Sequence, residues 1–243
     1  MSNAAITQTT VILQYDAIGN ILQDGYWQYT WQSGRQLKAM QHGEAEDADY
    51  ERLDFAYNAD GLRVRKSYTR NNGEGMSDTT VTDYILHGKN IMHMRVTENG
   101  ALTDEMHFFY DAQGRPALTE HTSYAAGIVA TNSYAYIHNL QGDTVGLVDA
   151  SGTECVRYTY DAWGRMLSIT GTKATTLGLL QPFRYRGYVY DEEIRSSAND
   201  VDYYVNEFCN KLSTAKRLKE QYSKYNYYAV HKDAIMSTPV YIR

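Results

Sequence analysis

Ser213 and Lys216 stand in the Ser-x-x-Lys arrangement of serine acylases, where one helical turn brings the amine beside the hydroxyl. The companion motifs Ser-Asp-Asn and Lys-Thr-Gly are missing, so the match is too short to carry acylation chemistry. His231, Lys232 and Asp233 adjoin near the C-terminus. They would suit a nuclease or a plain polar loop. Of the seven histidines, His87, His93, His107, His121 and His138 show no His-x-x-x-His or mixed Cys/His spacing, and no metal or cofactor is expected. No Gly-x-Ser-x-Gly, P-loop or dinucleotide fingerprint occurs, so no catalytic residue is assigned. The most patterned polar residues are Asp16, Asp111 and Asp161, with Asn58 in the equivalent place. Their side chains could bind cations or sugars, or could serve as turn residues accepting hydrogen bonds from the backbone amides just ahead.

These four sit in a longer frame, Tyr-(Asp/Asn)-Ala-x-Gly. It occurs at Tyr15, Asp16, Gly19; at Tyr57, Asn58, Gly61; at Tyr110, Asp111, Gly114; and at Tyr160, Asp161, Gly164. A fifth, degraded version is Trp31-Gln32-Ser33-Gly34-Arg35. Internal repetition outranks other sequence signals, because it dictates how the whole chain is assembled. Each copy has the chemistry of a strand entering a tight turn: an aromatic for the sheet face, an Asx side chain for the loose amides, and a glycine for positive φ.

The elements around the corners read as strands. Residues 6–13 are β-branched, and Ile21 to Trp31 continues with a turn at Asp24-Gly25. Residues 41–51 and 71–75 are loops. Leu62 to Tyr68 alternates, with Arg63, Arg65 and Ser67 against Leu62, Val64 and Lys66. Asn90–Thr97 and Ala101–Tyr110 flank Glu98-Asn99-Gly100, a hairpin signal. Leu147 to Thr153 repeats the idea with a longer turn, and the next strand sets Val156, Tyr158 and Tyr160 against Cys155, Arg157 and Thr159. The motif starts lie 42, 53 and 50 residues apart, which suits stacked hairpins in a long sheet better than identical propeller blades. Past Glu193 the texture changes. Tyr204, Phe208, Leu212, Ala215 and Leu218 have helical spacing and predict a helix over about 199–225.

Composition bounds the partners. The chain has 243 residues and 23 Tyr against 5 Phe and 3 Trp, a bias suited to a broad sheet with one wet face and equally to a carbohydrate-binding surface. A net charge of −6 argues against nucleic acid as a partner of the repeat region, since counterion release needs a basic face. Two cysteines, Cys155 and Cys209, exclude a disulfide framework. No stretch reaches the length of a membrane span, and the N-terminus lacks the basic-then-apolar order of a signal peptide.

The four corners, together with Leu86-His87-Gly88-Lys89-Asn90-Ile91, the hairpin from Tyr136 to Asp161, and Pro182-Phe183-Arg184-Tyr185-Arg186-Gly187-Tyr188, resemble the YD repeats of RHS (rearrangement hot spot) proteins. In these the repeats form the β-shell of bacterial polymorphic toxins and wall-associated relatives. The resemblance covers roughly residues 11–193, and Arg184, Tyr185, Arg186 and Gly187 look like the start of the RHS-associated core segment. It implies a mainly β fold, an open antiparallel hairpin sheet over 6–193 with the core starting near 182–193. A divergent tail over 194–243 carries the short helix. It further implies a non-enzymatic shell or scaffold that encloses or presents a C-terminal effector, secreted or at the cell surface. Its partners would be the remaining shell, a toxin domain or further copies of itself. A module for cell-surface glycans and a small effector in residues 194–243 are the alternatives. After Tyr190-Asp191-Glu192-Glu193 the sequence departs from the family, running into Ile194-Arg195-Ser196-Ser197 with no Asp-Pro anywhere, so no self-cleaving aspartates are carried over. A handful of hairpins cannot close on itself, and its edges and one apolar face are expected to stay exposed unless neighbours cover them.

Overall fold

A computed structural model describes residues 13–196 apart from 74, 75, 126, 162 and 163. The expected helix over 199–225, Ser213, Lys216 and the His231–Asp233 group lie outside the described residues. So does most of the strand expected at 6–13.

Fourteen strands follow one another as an antiparallel meander, each paired with its sequence neighbours. The first seven are β1 Gln14–Tyr15, β2 Ile21–Gln23, β3 Gln28–Gln32, β4 Gln36–His42, β5 Glu51–Tyr57, β6 Arg63–Asn71 and β7 Ser77–His87. The rest are β8 Asn90–Glu98, β9 Ala101–Tyr110, β10 Pro116–Ala125, β11 Ile128–His138, β12 Thr144–Asp149, β13 Glu154–Tyr160 and β14 Met166–Thr170. No pairing joins β1 to β14, so the described sheet is open. A meander puts every odd-to-even turn on one rim. The full Tyr-(Asp/Asn)-Ala-x-Gly sequence fills the turns after β1, β5, β9 and β13. It therefore recurs every four strands, which explains the spacing of about fifty residues. The intervening rim turns are Ser33-Gly34, Gly88-Lys89 and the stretch after His138.

The register slips by one residue just past these corners. Tyr57 pairs with Arg63 while Ala56 pairs with Arg65, leaving Val64 as a bulge. The same slip three residues after the turn glycine leaves out Leu22, Ala117, Val145, Cys155 and Leu167. A bulge bends the strand and re-aims the residues beside it. The simple alternation read for residues 62–68 is thereby corrected: Arg63 and Lys66 both turn inward, with side chains 6% and 8% exposed, while Arg65 stays outside. Cys155 likewise sits at a bulge and is buried with Val156, not opposed to it.

One face of the sheet is apolar, and the chain covers it itself. After β14 the polypeptide turns back through a single helical turn, α1 Leu177–Leu180, and runs on to residue 196 with 3-10 turns at Tyr185–Gly187 and Glu192–Ser196. Leu177 and Phe183 join the larger core cluster with Met106, Phe108, Leu147 and Tyr158. Ile194 joins the second cluster with Trp27, Leu37, Leu53 and Phe55. The expectation of an uncovered apolar face is corrected to that extent: a strap over 177–194 spans both clusters. Among the described residues no helix is long and apolar enough to cross a membrane.

Candidate functional site

The rim corners share one hydrogen-bond frame. At Asp111 the backbone N–H donates to the Arg115 carbonyl at 2.9 Å and Gly114 N–H returns to the Asp111 carbonyl at 2.9 Å. The carboxylate meanwhile accepts from the N–H groups of Gln113 and Arg115. Those bonds, that from Arg115 foremost, hold the Asp111 carboxyl below the usual range. Gly114 has φ +76°, a conformation closed to most side chains. The same frame is built at Asp16, Asn58 and Asp161. These groups are spent on their own turns. Two further copies make the same bonds: Asn139–Asp143, which the repeat motif does not include, and Asp149–Thr153, inside the turn expected over Leu147 to Thr153 but not counted with the corners. They lack the leading tyrosine (His138 and Val148 stand there), and the bare signal (Asp/Asn)-x-x-Gly would have found them.

The tyrosines do a separate job. Tyr57 Oη donates to the Leu37 carbonyl at 2.7 Å, Tyr110 Oη to that of Ile91 at 2.7 Å, and Tyr160 Oη to that of Thr144 at 2.8 Å. Each hydroxyl reaches a carbonyl at the rim end of the preceding strand. Burial pushes the Tyr110 and Tyr160 hydroxyls well above their usual pKa, so they stay protonated donors. Trp31 in the degraded copy keeps this role, its indole N–H donating to the Ile21 carbonyl at 2.6 Å. Its turn differs, with positive φ at both Ser33 and Gly34. Tyr15 at the sheet edge is 47% exposed.

The segment beginning at Pro182 is a small hairpin docked on the corner after β11. Arg184 N–H donates to the Tyr188 carbonyl and Gly187 N–H to that of Arg184, which repeats the corner's backbone frame. Thr144 N–H donates to the Arg184 carbonyl, and Asp143 accepts from Arg186 N–H at 2.9 Å. Arg186 sits at φ +53°, a left-handed conformation that costs a non-glycine residue about 1–2 kcal/mol. The Arg184 side chain is 1% exposed. It lies 4.4 Å over the Tyr158 ring and donates to the carbonyls of Gly178, Leu179 and Gln181, the open end of α1. Gln181 is fully buried and ties Tyr136, Tyr158 and Phe183 together. Beyond it, Asp191 meets Arg63 at 2.6 Å and Lys66 at 3.2 Å, and Glu193 takes Lys66 at 2.6 Å. Burial opposes the charge on Asp191, but Arg63 and Lys66 outweigh it and hold the carboxyl below its usual range.

The RHS repeat family model matches residues 138–176, which carry the corners after β11, β12 and β13. Those residues carry an RHS repeat. The chain is 28% identical over 181 residues to the tRNA3(Ser)-specific nuclease WapA of Bacillus spizizenii and over 187 residues to the tRNA nuclease WapA of Bacillus subtilis. Each alignment covers 74% of this chain and 7% of the relative. Among solved structures, TcdB2-TccC3 superposes with a TM-score of 0.59 at 18% identity, and the Photorhabdus luminescens Tc holotoxin pore with 0.60 at 17%. Both cover 73% of this chain and 8% of the other, and at such identity the likeness is one of fold. The chain spans less than a tenth of the length of the relatives and structures it matches.

Where the rim corners after β5, β9 and β11 approach the strap, they leave a cleft of about 520 Å³. Tyr57, Tyr84, Tyr110 and Phe183 line it with Leu62, Leu86, Ile91 and Val189, while Arg63, Lys89, Arg115 and Arg186 supply charge. No carboxylate is among the lining residues. Of the four cations, Arg63 is spent on Asp191 and Arg115 on Asp111. Elsewhere His121 Nε2 meets Asp104 at 2.7 Å, a pair with no hydroxyl or thiol bonded to the other ring nitrogen among the described residues. No group of three or more potential metal ligands occurs among them either.

Proposed function

We propose that this chain is a non-enzymatic shell or scaffold segment of a bacterial polymorphic toxin system, secreted or at the cell surface, that encloses or presents an effector carried further along the polypeptide. The supporting observation is the use to which its polar residues are put. The corner carboxylates bind their own turns, the repeat hydroxyls close strand ends, and the buried ions fasten the strap to the sheet. All of them build, and none is poised for proton transfer to a substrate. The matched WapA proteins are named as tRNA nucleases, and this chain corresponds to 7% of their length. Among the described residues the sheet is open, with β1 and β14 each paired on one side, which suits a piece of a larger shell. The repeat tyrosines Tyr57, Tyr110 and Tyr160 have their hydroxyls committed to backbone carbonyls, which leaves them poorly placed for glycans.

Two measurements test this reading. Purified full-length chain incubated with total tRNA should leave it intact, and induction in a bacterial host should not arrest growth. Cleavage that copurifies with the chain through successive columns would overturn the scaffold reading.

A further inference from the structure

We propose that the cleft between the rim corners and the strap binds a short acidic peptide segment of a separate polypeptide, one in which carboxylates flank an aromatic or aliphatic side chain. The inference rests on the cleft alone and stands apart from the scaffold reading. Lys89 and Arg186 face this space and form no ion pair among the described residues, whereas Arg63 and Arg115 are already neutralised. Lys89 is therefore the cleft's uncompensated cation, Arg186 is only partly balanced by Tyr185 and by Asp143 behind it, and no carboxylate lines the space. A ligand bearing two or more carboxylates would complete it.

The floor selects the rest of the ligand. It is aromatic and aliphatic, with Leu86 and Ile91 against the strap's Phe183 and Val189, and only the side chains of Asn90 and Gln141 offer amides. A saccharide needs many directed polar partners, whereas an apolar side chain between carboxylates needs a greasy floor and a positive mouth. Backbone strain points to the same place. Arg186 adopts a left-handed conformation that glycine or asparagine would take more easily, with its amide tied to Asp143 and its guanidinium 5.1 Å over Tyr185. Strain concentrated at one residue of a cleft is a mark of a binding position.

The probe is a fluorescein-labelled hexapeptide of four acidic and two aromatic residues, titrated with the full-length chain and followed by anisotropy. Saturable binding is expected, weakened about tenfold or more by Lys89→Glu or Arg186→Glu and by raising salt, as for exposed charge pairs. Lys89→Arg should retain it, and Arg157→Glu on the far face should leave it unchanged. Far-UV circular dichroism and the thermal midpoint show whether each variant folds. If Arg186→Glu unfolds, Lys89→Glu decides alone. The proposal is overturned by absent saturation, by equal binding of the peptide with amides in place of carboxylates, by binding insensitive to Lys89→Glu, or by an acidic oligosaccharide binding where the peptide does not.

Discussion

The guanidinium of Arg63 grips both oxygens of Asp191, at 2.6 and 3.0 Å, across 128 positions of sequence. The pair is buried, and the Arg63 guanidinium also lies 5.3 Å over Phe55 and 5.6 Å over Tyr84. Buried pairs add little net stability over an apolar filling, but removing one partner strands the other's charge in a low-dielectric site. Such a pair therefore fixes where the strap lies more than how tightly it lies there. Asp191→Asn should destabilise the chain by about 3–5 kcal/mol in urea unfolding. Limited proteolysis should then open the chain first within 182–194. Wild-type stability should also fall in acid. The folded carboxyl has a depressed pKa, so its contribution is complete above the unfolded value of about 4 and is lost as pH drops through the folded one. Asp191→Asn should remove that part of the pH dependence. Unchanged unfolding curves would show that the strap is held by Phe183 and Ile194 alone.

The tyrosine clasps make a second test. Tyr110→Phe keeps the ring in the cleft wall and strips one donor from the Ile91 carbonyl, so a loss of about 1 kcal/mol is expected, rising if water cannot replace the hydroxyl. Tyr57→Phe should behave alike. Tyr15→Phe should change the denaturation midpoint little, because that ring lies half-exposed at the sheet edge. No loss at Tyr57 and Tyr110 would mean that the ring's packing matters and the hydroxyl does not.

The corners were legible in sequence because everything they need is local. An Asx side chain, two amides and a glycine lie within five residues, and Asp16, Asn58, Asp111 and Asp161 accept from the amides just ahead of them. Asn139 and Asp149 were not counted with them because the tyrosine was read as part of the turn, whereas the structure separates the two jobs: Trp31 keeps the clasp with a different turn, and Asn139 keeps the turn without the tyrosine. The meander followed from the hairpin signals. The strap's path did not, since nothing near Asp191 announces a partner 128 residues upstream. The bulge at Val64 hid that partner too, by turning Arg63 to the face where Lys66 already points. The cleft was invisible for the same reason, being built from corners far apart in sequence.

Glycine at the corners is needed for two distinct reasons, and substitution separates them. A Cβ on Gly114 would meet nothing, so Gly114→Ala costs only the left-handed backbone, about 1–2 kcal/mol. A Cβ on Gly164 would run into the Tyr185 ring of the strap hairpin, so Gly164→Ala should cost more and loosen residues 182–190. Thermal unfolding of the two variants, with tyrosine fluorescence reporting on the strap, checks the order. Equal losses would mean that Tyr185 gives way freely and the strap does not lean on that corner.

On the face away from the strap, His93 stacks on His107 with ring centroids 4.2 Å apart and planes 3° from parallel. Burial, followed by the neighbouring His107, pushes the His93 pKa below its usual value, against the opposing pull of Glu105 at 3.5 Å. Arg95, paired with the same Glu105 at 3.1 Å, acts in the same downward direction. The folded state thus prefers neutral His93. Its contribution is present above the unfolded histidine value of about 6.5 and is lost as pH falls through the lower folded one. Urea unfolding at several pH values from about 7 to 5 should show stability declining for the wild type and declining less for His93→Gln, the two curves converging toward the acid end. A wild-type slope that survives His93→Gln unchanged would assign the titration to another group.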